Sequence, residues 1–222
     1  MDRPQPVSPE LIADLRNLRT LNRYFGSYRL VRFFLDRWLR PNDRLRILDL
    51  ATGSADIPRL VADHARELGA AVTIDAVDLQ PSTVSIAAEE NRDYSEIHFH
   101  CADVLAFGEV ENYDIVLCSL ALHHFSKEDA VRLLRRAQEL SRGKVMVADL
   151  RRSWLAKLGI ICLTKLIFRE PMTRNDAKVS IERAFSFREL HQLANEAGWR
   201  DFGHRRFRFA RQAIWLEHAP RE

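Results

Sequence analysis

The chain has 222 residues, 46% hydrophobic and 29% charged, which reads as one soluble α/β domain with room for a few extra helices. No apolar run reaches the roughly 18 residues that a membrane-spanning helix needs, and the polar, proline-containing Met1-Asp2-Arg3-Pro4 is no signal peptide. The net charge of +3 divides into +4 over residues 1–50, −8 over 51–150 and +7 over 151–222. An acidic middle suits a cationic ligand. Basic flanks suit an anionic substrate, an acidic carrier protein or a membrane surface, or are simply solvated helix faces.

Residues 9–39 read as two helices. Ser8 can cap the first, and Ile12, Leu15 and Leu18 form its apolar stripe. Gly26-Ser27 breaks the pattern before Leu30, Phe33, Phe34 and Trp38 resume it. The aromatic and basic stretch Asn22–Gly26 reads either as a cover over a ligand site, which puts Tyr24 and Phe25 on the substrate side, or as helix packing.

Leu45, Ile47, Leu48 and Leu50 make a buried strand that carries Asp49 near its end. The loop Ala51-Thr52-Gly53-Ser54-Ala55 follows, and Pro58 opens an apolar-periodic helix. Small residues let a backbone approach a ligand, and a helix start behind them offers free N–H groups. The dinucleotide pattern GxGxxG is not met, because only Gly53 is glycine. A second strand, residues 71–79, ends at Asp78, 25 residues after Gly53. An acidic residue at that place can accept both ribose hydroxyls of an adenosine. Pro81 opens the next helix.

Residues 97–101 read as a short third strand, followed by Ala102-Asp103-Val104. His98 and His100 share one strand face and read as strand residues, with no metal role. Residues 113–120 form the fourth strand, after which come His123 and His124 and then Ser126, a cap for helix 127–141. Residues 143–149 form the fifth strand. Strands alternating with helices argue for a parallel sheet covered on both faces. Cys101, Cys118 and Cys162 are widely spaced in apolar runs and have no zinc spacing; they read as buried free thiols in a reducing, cytoplasmic compartment.

Trp154–Phe168 is strongly apolar, with Lys157, Thr164 and Lys165 on one helical face. It reads as the wall of a hydrophobic substrate pocket, as packing against the N-terminal helices, or as a homodimer contact; its lysines also suit a peripheral membrane contact. Ser186 and Glu189 form a capping box, and Gly198 ends that helix. Residues 202–209 and 212–217 read as two closing antiparallel strands.

Asp49-x-Ala51-Thr52-Gly53-Ser54-Ala55, the acidic ends of the second and third strands, and the Tyr113-Asp114-Ile115-Val116 opening of the fourth occur in one order over residues 40–150. Together they resemble the class I, Rossmann-like S-adenosylmethionine-dependent methyltransferases. Within these, the chain looks like the small-molecule branch of quinone and polyketide biosynthesis. It departs from the family at Ala51 and Ala55, where glycine is common.

The resemblance implies a seven-stranded, mostly parallel α/β sheet with helices on both faces. It gives a single domain with an N-terminal helical cap (1–40), a cofactor-binding core (41–150), a substrate-side insert (151–185) and a closing helix and strands (186–222). It implies S-adenosyl-L-methionine as cofactor. Asp49 would lie at the amino-acid end, with Ala51, Thr52 and Gly53 as the close-approach loop. Asp78 with Leu79 would hold the ribose, Asp103 between Ala102 and Val104 the adenine, and Ser119 would flank the methionine portion. Trp154 would join Tyr24 and Phe25 on the substrate side. His123 or His124 would be a base for O-methylation, or only architecture. The expected partner is a small hydrophobic acceptor, aromatic, phenolic or lipid-like, methylated at oxygen or carbon; the alternatives are an RNA or protein methyltransferase, or a catalytically inactive methyltransferase-like binding subunit. Ser119-Leu120-Ala121-Leu122 is not the Asn/Asp-Pro-Pro-Tyr/Phe loop of base and glutamine N-methyltransferases, and no separate nucleic-acid module is present, so RNA is not the expected substrate.

Overall fold

A computed structural model describes residues 6–110, 112–153 and 178–217. Its centre is a seven-stranded sheet built from β1 (Arg44–Leu50), β2 (Ala71–Asp78), β3 (Ile97–Cys101), β4 (Tyr113–Ser119), β5 (Ser141–Leu150), β6 (Gly203–Phe207) and β7 (Arg211–Glu217). The spatial order is β3-β2-β1-β4-β5-β7-β6. β1 to β5 pair in parallel, and only the pairings of β7 with β5 and with β6 are antiparallel. The expected α/β architecture is therefore present.

Alternation along each strand divides the core in two. Ile47, Ile115, Leu117 and Met146 face helices α2 (Ser27–Trp38) and α3 (Asp56–Leu68). Leu48, Val116, Val145 and Val147 face α5 (Lys127–Leu140) and α6 (Phe187–Glu196). Both faces of the parallel strands are covered, which is why β4 reads as an apolar run from Ile115 to Cys118 and β1 is buried from Ile47 to Leu50. Helices α1 (Pro9–Tyr24) and α4 (Pro81–Glu90) meet in a small separate cluster of Leu11, Leu15 and Ile86.

The local signals act where the sequence puts them. Ser8, Ser126 and Ser186 each accept a backbone N–H at the start of a helix, from Leu11, Asp129 and Glu189. Between α1 and α2, Gly26 takes φ of +89°, and a Cβ there would meet the Phe209 ring at 3.2 Å. Glycine fits both the turn and the close approach of the β6–β7 hairpin.

Boundaries shift by one to three residues. α3 starts at Asp56, so Pro58 lies within its first turn. β5 starts at Ser141, which pairs with Tyr113 across a register shift that no local pattern announces. Cys118 is buried as expected, whereas Cys101 ends the edge strand β3 and is exposed. Trp154, Cys162 and the apolar insert lie outside the described residues.

Candidate active site

The carboxyl ends of β1, β2, β4 and β5 open into one cavity of about 800 Å³. This is the crevice where open parallel sheets bind ligands. Its floor is the loop after β1. Ala51, Gly53 and Ala55 take φ of +57°, +55° and +54°, so the chain passes three times through the left-handed region. The two alanines hold a conformation that favours glycine, at a cost of about 1–3 kcal/mol each. A Cβ on Gly53 would meet no atom within 4 Å, so its Cα faces open space.

Asp78 is strapped into place. Its Oδ2 accepts from Gly53 N (2.9 Å) and its Oδ1 from Gln80 N (3.0 Å). The loop after β1 and the end of β2 thus fix one carboxylate, each of whose oxygens keeps a further lone pair. Asp103 is exposed on the rim, with Oδ1 accepting from Leu105 N at 2.9 Å.

Asp49 is 2% exposed, and its Oδ1 has no hydrogen-bond partner. Burial pushes its carboxyl up to about 7, and the neighbouring carboxylates of Asp56 and Asp78 add to the effect. Asp56 is also buried and raised by burial; Asn22 Nδ2 of α1 donates to its Oδ2 at 3.1 Å. An orphan carboxylate oxygen at a cavity wall suits a cationic ligand group. The ammonium of S-adenosylmethionine would meet that need, with Asp78 placed to hold its ribose and Asp103 its adenine. The residues present therefore fit this cofactor.

On the other side of β4, a short 3₁₀ turn (Leu122–His124) places two imidazoles at the cavity, their ring centroids 4.2 Å apart. His123 is buried, and Asp149 at the end of β5 holds it twice: Oδ2 accepts from His123 N (2.8 Å), and Oδ1 is 2.7 Å from Nδ1. Leu150 N also donates to Oδ1 at 2.7 Å. With Nδ1 engaged by a carboxylate, Nε2 is the nitrogen left for the cavity and is the acceptor form in the neutral ring. His124 is exposed at the same wall.

Of the residues expected at the site, Asp49, Ala51, Thr52, Gly53, Asp78, Leu79, Asp103, Val104, Ser119, His123, His124 and Phe25 border the cavity. Two do not. Tyr24 is 64% exposed on the outer face of α1, where the helix turns it away from the cavity that Phe25 faces. Ala102 serves through its backbone, donating N–H to Asp78 O at 3.0 Å and so joining β3's end to β2's. Trp154 is outside the described residues. Asp149, Asp56 and Arg211 were not anticipated. Asp149 carries the same signature as Asp49 and Asp78, an acid ending an apolar strand, and was readable on that ground.

Residues 47–143 match the family described as a methyltransferase domain. No curated protein matches the sequence. Among solved structures, a SAM-dependent methyltransferase from Aquifex aeolicus is 13% identical with a TM-score of 0.66, the match covering 92% of this chain and 96% of that one. Human N-acetylserotonin methyltransferase in complex with SAM is 18% identical (TM-score 0.64), with 93% of this chain covered and 55% of that one. Magnesium protoporphyrin IX methyltransferase from Synechocystis PCC 6803 with bound SAH is 16% identical (TM-score 0.58), over 87% and 84%. These likenesses establish the class I methyltransferase fold, and the stretch that matches the methyltransferase-domain family runs from β1 to the start of β5.

Proposed function

We propose that this enzyme transfers a methyl group from S-adenosyl-L-methionine to a small, largely apolar acceptor, aromatic, phenolic or lipid-like, at oxygen or carbon. The observation that carries the reading is the composition of the cavity at the strand ends. Its β1–β3 side presents Asp49, Asp78 and Asp103, and its far side presents Leu15, Leu18, Phe25, Ile181 and Phe209. Polar groups for a charged nucleoside and an apolar bay for a second molecule share one space.

The cofactor supplies an activated methyl on a sulfonium that is already a good leaving group. The protein's task is then to align an acceptor, exclude water and take a proton. Asp49 would hold the cofactor's ammonium, and the bonds of Asp78 to Gly53 and Gln80 keep the Asp78 carboxylate oriented for its ribose. His123 Nε2 takes the acceptor hydroxyl's proton while the oxygen takes the methyl, and Asp149 steadies the imidazolium that results. Surface features support delivery from an anionic surface. Phe209 borders the cavity yet is 47% exposed, and Arg29 lies over its ring at 5.8 Å.

The test is transfer of label from methyl-labelled S-adenosylmethionine to phenolic lipids, quinols, polyketide-like pyrones and bulk RNA. Labelled phenol, quinol or pyrone product supports the reading. Label in RNA alone refutes the acceptor class, and absence of cofactor binding in folded protein refutes the enzyme's donor.

A further inference from the structure

Arg211 begins β7, and two strands, β4 and β5, separate it from the cofactor loop after β1. It borders the cavity, yet only 8% of it is exposed. Its Nε donates to Ser27 Oγ at 3.0 Å. Among the described residues no carboxylate forms an ion pair with it. Asp149 acts on it only through space, and both Asp149 oxygens are already used by His123 and Leu150. Burial pushes the guanidinium down to about 10, with Asp149 opposing the shift.

Arg151 stands beside it. Leu150 is in register with Arg211, and Arg151 N donates to Ala210 O at 2.7 Å. The Arg151 side chain also borders the cavity, and its Nε is buried without a hydrogen-bond partner. Two adjacent arginines therefore border the cavity beside Leu150, Ile181 and Phe209. A buried cation without an anion is a costly arrangement that folding alone does not favour. A planar fork of N–H donors matches a carboxylate bidentately.

We propose that Arg211, assisted by Arg151, is an anion site that binds a carboxylate of the methyl acceptor, so that the acceptor is an apolar or aromatic acid. The inference rests on the small-molecule acceptor reading above and narrows it. The cofactor's own amino-acid carboxylate has the same chemistry. The acceptor is favoured because the cofactor's ammonium is matched by Asp49 on β1, whereas Arg211 lies across β4 and β5 among the apolar residues of the bay.

The test is calorimetric titration of the S-adenosylhomocysteine-loaded enzyme with a matched pair, 2,4-dihydroxy-6-pentylbenzoate and 5-pentylresorcinol, which differ only by the carboxylate. The acid should bind about ten- to a hundredfold more tightly to the native enzyme. Arg211→Met should abolish the preference and leave the affinity for the resorcinol and for S-adenosylhomocysteine unchanged. The variant should also melt at a higher temperature, because an unpaired buried cation has been replaced by an apolar side chain. Arg211→Lys, which keeps the charge but not the fork, should retain only part of the preference, and Arg151→Met should reduce it.

Equal affinity for the two compounds in the native enzyme overturns the anion site and leaves the apolar bay standing. A preference that survives Arg211→Met overturns the role of Arg211. Loss of S-adenosylhomocysteine affinity in that variant assigns the site to the cofactor's carboxylate instead. Binding of neither compound, with S-adenosylhomocysteine still bound, overturns the aromatic-acceptor reading and the acid anchor with it.

Discussion

Asp49 shows how burial turns one carboxylate into a selective partner. Its folded pKa of about 7 lies above the ordinary 3.8, so the unfolded chain ionises first as pH rises. The residue therefore works against the free folded protein progressively between those values and constantly above them. A bound ammonium favours the ionised form. Cofactor binding below about pH 7 should release a proton, and affinity should rise toward that pH and then level off. Titration in two buffers of different ionisation enthalpy checks this; pH-independent affinity without proton release would refute the assignment. Asp49→Asn should weaken cofactor binding and stabilise the free protein in mildly alkaline solution. At His123, substitution by Ala should lower kcat by about 10²–10⁴-fold with cofactor affinity intact. Asp149→Asn should come close to this, since an amide cannot accept from His123 N, His123 Nδ1 and Leu150 N together. Undiminished turnover in both variants would remove the base from the mechanism. The acidic strand ends at Asp49, Asp78 and Asp103 were legible because each stands out against an apolar run or a fixed spacing. Arg211 was not. As one of several arginines near the chain's basic end it reads as surface, and only the fold of the β6–β7 turn carries it inside.

Elements that begin with a local chemical signal were the readable ones. The Ser186–Glu189 box forms as its spacing predicts: Glu189 N donates to Ser186 Oγ (3.2 Å), and Glu189 Oε2 accepts from Ser186 N (2.7 Å). Arg152, just past β5, adds Nη2 contacts of 2.6 and 2.7 Å to the same carboxylate. Partial burial raises the Glu189 pKa, but the Ser186 groups and Arg152 outweigh it and bring the carboxyl down to about 2. A depressed carboxylate contributes stability above its unfolded pKa of about 4.5 and loses it as pH falls toward 2. Glu189→Gln should therefore cost about 1 kcal/mol at neutral pH, most of it from the cap because Arg152 is half exposed. Thermal melts should show that difference shrinking in strong acid; a constant difference would mean the charge plays no part. Strand limits were less legible than helix starts. β5 begins at Ser141 because of its pairing with Tyr113, and β4 stops at Ser119 before Leu120 turns to φ of +58°. Partner strands and backbone twists decide such ends, and neither is written in the strand itself.

At the scale of the whole molecule, the sheet and the cap are held by unequal means. β1, β2, β4 and β5 lie between two large apolar clusters, whereas α1 rests on the small cluster of Leu11, Leu15 and Ile86. Polar ties supplement it. Arg19 reaches Glu90 at 2.6 Å and Ser54 O at 3.4 Å, and Asn22 reaches Asp56. Two of these ties end on the loop after β1 or the start of α3, so the helix that walls the bay is bonded to the floor of the cofactor site. The cap should accordingly be the less protected part of the free protein and gain protection when that floor is ordered by a ligand. Amide hydrogen exchange measures both. Residues 9–24 should exchange faster than β4 and β5 in the free enzyme and slow on addition of S-adenosylhomocysteine, while the central strands change little. Equal protection of α1 and the central strands without ligand would show the cap to be part of the rigid core. A cap that stays fast after ligand binding would uncouple it from the cofactor loop, and closure of the acceptor bay would then have to come from the acceptor itself.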